Sequence, residues 1–324
     1  MTLMPQTAVH HEVNEQRPGV LEKFVGQKSV VDRIKVALEA AWNDTTRLPH
    51  MLFVGGSGLG KTQMAEVIAH EMGTEIHQQL AQNLNYAAGL HGFLIEGENR
   101  GVLFIDEIHE LATAAQTLLY RAIEERQLFL GCTPFRDKPQ IIPLEDFTLL
   151  AATTEQYSLL PPLLDRFKII AHFSKYSPEE LIQLLDQRCQ MLRWSIQAEV
   201  LKLIAERGRG VPRRGLRLLE AVHRTARADA ADTITITHFV QTCRLERIRK
   251  HGIDELEYRY LSLLHAAQGC LRLNVLAARI GLPDRTIQRI VERPLLEEGY
   301  VEKLSDGQRV LTEKGLNHLQ EDAD

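Results

Sequence analysis

No stretch of the sequence approaches the ~18 consecutive apolar residues that a membrane-spanning helix needs, so no membrane partnership is expected. The opening residues are polar, include His10-His11 and lack the apolar core of a secretory signal, which sets the expectation of a cytoplasmic protein. The four cysteines, Cys132, Cys189, Cys243 and Cys270, form no Cys-x-x-Cys pair. A zinc cage or a disulfide framework is therefore not expected, and the thiols read as buried or incidental. The 13 histidines are scattered as well, without a ligand cluster. No internal repeat and no low-complexity linker divides the chain. What remains is an ordinary globular composition, 44% hydrophobic and 25% charged over 324 residues, long enough for two or three domains.

The net charge of −5 conceals an uneven distribution. Residues 1–171 carry 14 basic and 21 acidic side chains, residues 172–253 carry 15 and 9, and residues 254–324 carry 9 and 13. Only the middle segment is basic. A nucleic-acid partner would have to be met by local patches and not by the whole surface.

Residues 1–16 read as a loosely attached tail. A helical pattern runs through Val30, Ile34, Leu38 and Ala41, followed by a short apolar strand ending at Phe53-Val54. Ile76 marks a weaker strand. Residues 101–106, 147–154 and 169–173 are apolar runs rich in β-branched or aromatic side chains, expected as buried parallel strands. Strands alternating with helices predict an α/β domain around a parallel sheet over residues 17–173. Residues 127–130 and 140–142 flank a Gly/Pro-containing bend and predict a β-hairpin insertion at 127–143. At Ser177-Pro178-Glu179-Glu180 a capping box opens a run that reads as helix throughout, predicting a small all-α domain over 174–253. Residues 254–324 predict a winged helix. Helices at 256–267, 273–280 and 283–292 precede two strands around a Ser-Asp-Gly turn, and the tight turn at Gly281 is a helix-turn-helix signal.

The first chemistry lies at Gly55-Gly-Ser-Gly-Leu-Gly-Lys61-Thr62, the pattern Gly-x-x-x-x-Gly-Lys-Thr set between a strand and a helix. Glycines let the backbone fold tightly with its N–H groups turned inward toward phosphate oxygens, and the following helix N-terminus adds free donors. Gly58, Leu59 and Gly60 then lie against the phosphates, Lys61 reaches the β- and γ-phosphates, and the Thr62 hydroxyl faces Mg²⁺. ATP/ADP with Mg²⁺ is the expected ligand.

Residues 102–105 form an apolar run ending in Asp106-Glu107. In a nucleotide-binding sheet this sets Asp106 beside the metal and Glu107 where it orients an attacking water. A further candidate is Arg166 in Leu163-Leu-Asp-Arg166-Phe167. Its residue context leaves two readings open: a local pair with Asp165, or a finger reaching a neighbouring subunit's γ-phosphate.

Together these blocks resemble the RuvB family of AAA+ ATPases, the bacterial motors of Holliday-junction branch migration. The likeness runs from Arg17-Pro18 nearly to the C-terminus through Phe24-Val-Gly-Gln27, the phosphate loop, Leu103-Phe-Ile-Asp-Glu-Ile-His109, residues 147–154, Pro162-Leu-Leu-Asp-Arg-Phe167, residues 176–181 and Gly210-Val-Pro-Arg213. The resemblance implies a homohexameric ring that translocates branched or duplex DNA. It implies that Thr154 is a polar sensor holding the attacking water, Arg166 a finger acting in trans, and Arg213 a second sensor at the γ-phosphate. Arg17, Phe24, Val25, Tyr176 and Pro212 fall at nucleotide-pocket positions. The helical domain then acts as a lid that changes its angle during turnover. The resemblance further implies a RuvA-like junction-binding partner docking on the 127–143 hairpin through Leu128, Phe129, Leu130, Phe135, Ile141 and Ile142. A hairpin packed on its own domain is the other reading.

The sequence makes three departures from the family: Gly56-Ser57 for two prolines, Glu110 for an arginine and Glu155 for an arginine. In the winged helix, Arg285, Arg289, Arg293 and Arg309 are candidate phosphate contacts, against the plainer reading of a solvated charged face. Asp306 and Gln308 stand where the family has wing-tip arginines. Beside the DNA motor, two other readings stay open: a paralogue that remodels or loads a protein, and an ATP-switched DNA-binding protein.

Overall fold

The computed structural model describes residues 21–130, 140–267 and 270–321. Arg17, Phe135 and the expected tail at 1–16 lie outside the described residues. The chain divides into two compact units. One holds the residues through Leu184 together with Val211–Arg213, and the other holds Leu185–Gly210 together with Arg214 onward.

The first unit is built on five parallel strands, β1 (Met51–Val54), β2 (Ile76–Leu80), β3 (Val102–Asp106), β6 (Thr148–Thr153) and β7 (Ile169–His172), in the order β2-β3-β6-β1-β7. β4 (Gln127–Leu130) and β5 (Gln140–Pro143) form a separate antiparallel hairpin. The central strands are apolar except at the ends of β3 and β6 (Asp106, Thr148 and Thr153), because both faces are covered. Met51, Phe53, Phe104 and Leu150 pack with α1 (Lys28–Asn43) and α2 (Lys61–Glu71) on one side. Leu52, Leu103, Ile105 and Leu149 pack with α3 (Ala87–Ile95), α4 (Thr113–Glu125) and α5 (Pro161–Leu164) on the other. Each such side chain removed from water contributes about 1.5–3 kcal/mol. β2 is polar in sequence (Ile-His-Gln-Gln-Leu) because it is an edge strand and only partly covered. This layering brings the carboxyl ends of β1, β3 and β6 to one rim, where ligands of open α/β sheets bind.

The hairpin corrects one expectation. Leu128 is buried in the sheet domain's core and is not available to a partner, whereas the cross-strand pair Phe129 and Ile141 is exposed.

The division between units falls within α6 (Pro178–Leu192) and at the start of α8 (Pro212–Ala228). The capping box at the head of α6 is formed: Ser177 N–H donates to Glu180 Oε2 at 2.8 Å and Glu180 N–H to Ser177 Oγ at 3.1 Å. The second unit adds α7 (Ala198–Gly208) and α9 (Ile236–Leu245). It also contains a two-residue parallel pairing of β8 (Ser195–Ile196) with β9 (Thr233–Ile234), where the sequence reads as helix throughout. Two residues are too few to carry a period-two pattern, which is why the sequence does not show them.

The winged helix follows, with α10 (Glu255–Ala266), β10 (Leu271–Arg272), α11 (Leu273–Ile280), α12 (Asp284–Thr286), a π-helical stretch Ile287–Glu292, α13 (Arg293–Glu297), β11 (Val301–Lys303), β12 (Gln308–Leu311) and α14 (Glu313–Glu321). Its three strands are antiparallel in the order β10-β12-β11, and its core is centred on Tyr260, Leu264, Leu276, Ile287, Val291 and Leu295. Among the described residues no helix is long and apolar enough to cross a membrane.

Candidate functional site

β1 delivers the chain into the phosphate loop, and Gly60 caps α2 in a left-handed conformation (φ 98°). A Cβ at Gly60 would stand 3.2 Å from Phe24 Cζ and 3.5 Å from the Tyr176 hydroxyl, so those two rings line one side of the loop. A Cβ at Gly58 (φ 79°) would clash with Arg213 Cβ at 2.8 Å. Only glycine admits this close approach of the loop to the 211–213 segment. Val25, Leu59 and Pro212 are buried beside these residues. Burial pushes the Tyr176 hydroxyl pKa up, which keeps it a neutral donor.

Lys61 is the first residue of α2 and only 6% exposed. Its ammonium donates to the carbonyls of Gly55 and Gly56, both at 2.8 Å. Burial lowers its pKa, with Glu107 and Asp106 pulling the other way and Arg213 adding to the depression. Two neutral carbonyls hold this cation where phosphate oxygens would hold it better.

Thr62 Oγ1 donates to Asp106 Oδ2 at 3.3 Å, so a hydroxyl and a carboxylate from different elements meet at one point. That donor set suits Mg²⁺, which takes one or two protein oxygens and fills its other positions with water and phosphate. Glu107 follows in a left-handed conformation (φ 52°), its N–H bound to Asp106 Oδ1 at 2.9 Å. This turn separates the two carboxylates. Glu107 Oε2 lies 3.3 Å from His109 Nδ1, and the same nitrogen is 3.2 Å from Thr153 Oγ1.

Thr154 is half-buried one residue beyond the end of β6. Thr153, fully buried, accepts the Glu155 N–H on its hydroxyl at 2.9 Å and fixes the backbone that presents Thr154. Arg213 donates its N–H to the Gly58 carbonyl (3.3 Å) and its guanidinium to Ser57 Oγ (3.2 Å). Ser57 is one of the positions that depart from the family, and its hydroxyl now holds the second-sensor candidate. The structure therefore gathers Phe24, Val25, Gly58, Leu59, Gly60, Lys61, Thr62, Asp106, Glu107, Tyr176, Pro212 and Arg213 around one loop.

Arg166 stands apart from that group. Its guanidinium pairs with Glu124 Oε2 on α4 at 2.5 Å. The partner is 42 positions away in sequence, so adjacency to Asp165 carried no information about it.

Sequence reasoning missed several supporting residues. Gln27 is buried and brackets Ser174 with its side-chain amide, donating to the carbonyl at 2.7 Å and accepting the N–H at 3.1 Å. This tie holds Phe24 and Tyr176 in one frame. His109 and Glu124 are the others. Gln27 and His109 lie inside motif blocks, which was the available signal. Nothing in the sequence marks Glu124.

In the winged helix Arg285, Arg289 and Arg293 are exposed, with Arg293 bound to Glu297 at 2.9 Å. Arg309 requires a correction. It is 5% exposed and forks onto the buried Glu292, Nε to Oε2 at 3.1 Å and Nη2 to Oε1 at 3.0 Å. Glu292 also accepts the Tyr260 hydroxyl at 3.2 Å. Arg309 is thus a core ion-pair partner and does not present its guanidinium to a phosphate.

Comparisons with known proteins agree with this layout. The family model described as "Holliday junction DNA helicase RuvB P-loop domain" matches residues 16–173. "RuvB AAA lid domain" matches 176–248, and "RuvB C-terminal winged helix domain" matches 250–320. The Holliday junction branch migration complex subunit RuvB of Thermotoga petrophila is 35% identical over 98% of this chain and 96% of its own length. That of Kosmotoga olearia is 34% identical over 94% of this chain and 89% of its own. The solved Thermotoga maritima RuvB Holliday junction branch migration motor superposes with a TM-score of 0.82 at 34% identity, covering 94% of this chain and 98% of that one.

Proposed function

The chain belongs to the RuvB family of AAA+ ATPases, and from that premise we infer that it is an ATP-hydrolysing motor that drives branch migration of Holliday junctions in recombination and repair. One observation carries the reading: the loop Gly55–Thr62 is met by the acidic pair Asp106-Glu107 and by Arg213, the full set of charges that phosphoryl transfer needs within one subunit.

Binding of ATP replaces the two carbonyls on Lys61 with β- and γ-phosphate oxygens. Thr62 and Asp106 hold Mg²⁺, which supplies neutralisation of charge on the phosphates. Glu107 orients the attacking water and accepts its proton, Thr154 holds that water in line, and Arg213 reads the γ-phosphate. Phe24, Val25, Tyr176 and Pro212 enclose the base. Arg166 acts on the site of the next subunit in a homohexameric cytoplasmic ring. Its pairing with Glu124 holds the guanidinium ready while no neighbour is engaged. Arg285, Arg289 and Arg293 contact DNA phosphates. The exposed Phe129/Ile141 pair on the hairpin receives a RuvA-like junction-binding protein.

The test is a synthetic four-way junction incubated with the purified protein, a RuvA-like partner and ATP. Strand exchange that requires both ATP and the partner is expected. ATP turnover that never moves a junction, with or without the partner, would overturn the motor reading.

A further inference from the structure

The segment that carries Arg213 also carries Arg209, and the two are held by different parts of the protein. Val211–Arg213 group with the first unit, where Arg213 is bonded to the phosphate loop and Val211 Cγ1 lies 3.1 Å from the place of a Gly58 Cβ. Arg209 groups with the second unit. There its Nη1 donates to both oxygens of Glu257 at 2.8 and 2.6 Å, and its Nε to both oxygens of Glu298 at 2.9 and 2.7 Å. The Arg209 and Glu257 side chains are 4% and 1% exposed.

The two carboxylates belong to different helices of the winged helix. Glu257 lies in the first turn of α10, where it also accepts the Asp254 N–H at 3.1 Å in a capping box. Glu298 caps the end of α13. One guanidinium from the segment after α7 therefore grips the first and third helical parts of the winged helix at once. Arg209 itself is left-handed (φ 51°), as is Gly210 (φ 75°), so the backbone leaves α7 by a defined turn. Forked, charge-assisted bonds out of water fix orientation as well as distance, which an exposed ion pair does not.

We propose that Arg209 is a positioning residue that makes the winged helix follow the Val211–Arg213 segment, so that nucleotide state sensed at the phosphate loop is delivered to the DNA-binding domain. Only three residues, Gly210, Val211 and Pro212, separate the sensing arginine from the gripping one. The coupling is mechanical: Arg213 shifts with the γ-phosphate, the short step to Arg209 carries the shift, and Glu257 and Glu298 pass it to α10 and α13. The inference rests on the motor reading and deepens it by naming the joint between hydrolysis and DNA movement.

Arg209→Ala alone would strand a buried carboxylate and risk unfolding. The informative variant is Arg209→Met with Glu257→Gln, which removes both buried charges while glutamine keeps the capping acceptor. Glu298→Gln is the milder companion, because Arg209 keeps Glu257. ATPase without DNA, ATPase with a four-way junction, and junction movement per ATP are measured for each folded protein. The expected result is DNA-free turnover close to wild type, with junction movement per ATP lowered about tenfold in the double variant and less in Glu298→Gln. Arg209→Lys, which offers a point charge and no fork, restores only part of the coupling. Unchanged junction movement per ATP in the double variant would overturn the proposal. So would an equal loss of DNA-free and DNA-coupled turnover, which marks a merely structural role. A wild-type protein that hydrolyses ATP but moves no junction overturns the motor reading itself, and the coupling with it.

Discussion

Lys61 in the phosphate loop and Arg309 in the winged helix are almost equally buried, at 6% and 5% exposure, yet their charges are met in opposite ways. Arg309 is satisfied by a buried carboxylate that takes two of its nitrogens, with a tyrosine hydroxyl on the same carboxylate. Lys61 has two backbone carbonyls, and its pKa is depressed by burial that Glu107 and Asp106 only partly offset. A closed pair fixes a shape, here the wing against the helix that ends at Glu292. An under-compensated cation is a binding site: the energy missing from its surroundings is what a phosphate supplies. Burial alone therefore does not distinguish function from scaffold. The identity of the partner does.

The sharpest way to break this contrast is to remove one partner from each side. Glu292→Leu leaves Arg309 buried and uncompensated, and should cost about 3–5 kcal/mol in denaturant unfolding, most of it recovered by Glu292→Leu with Arg309→Met. Full stability in the single variant would show that the pair is not a structural lock. Lys61→Met should do the reverse. The nucleotide-free protein keeps or raises its thermal midpoint, while ATP affinity by calorimetry falls on the order of a hundredfold. A destabilised but ATP-competent Lys61→Met would contradict the assignment of that charge.

His50 supplies a third case, a buried titratable group kept neutral. Burial, with Arg47 beside it, lowers its pKa from 6.5 to about 3, and its Nδ1 accepts the Leu149 N–H at 2.9 Å in the sheet's core. Between those pKa values the unfolded chain binds a proton that the folded chain refuses. Stability is therefore fully present above about pH 6.5 and is lost as pH falls toward 3. The loss attributable to His50 is about 2 kcal/mol between about pH 6 and pH 4.5. His50→Asn, which keeps an acceptor near Leu149, should flatten that slope in pH-resolved unfolding. An unchanged slope would place the acid sensitivity elsewhere.

The sheet domain was legible in the sequence because its signals are local. A strand, a glycine loop and a Lys-Thr helix start are contiguous, and the apolar run into Asp106-Glu107 is read off directly. Even the capping box at Ser177 is a four-residue pattern. What could not be read are pairings across the fold. Arg309 looked like a surface arginine because Glu292 is 17 residues earlier, and only the packing of β12 on that helix shows the two facing each other. Arg166 had an acidic neighbour in sequence, but its partner is Glu124 on α4. Leu128 and Phe129 are adjacent apolar residues of one hairpin strand. The alternation of the strand sends the first into the core and the second outward, and the sequence does not say which face is covered.

The central claim is that each ATP site is completed by Arg166 of a neighbouring subunit. It is tested most directly by mixing two inactive variants: Glu107→Gln, which keeps the finger but lacks the residue that activates water, and Arg166→Ala, which has the opposite defect. Each alone should bind ATP and hydrolyse it far more slowly than wild type, a finger being worth about 10³–10⁵ in rate. Mixed rings contain interfaces that pair an intact Glu107 with an intact Arg166, so the account predicts that ATPase activity returns on mixing. A mixture as inactive as its parts, or an Arg166→Ala protein with wild-type turnover, would contradict it.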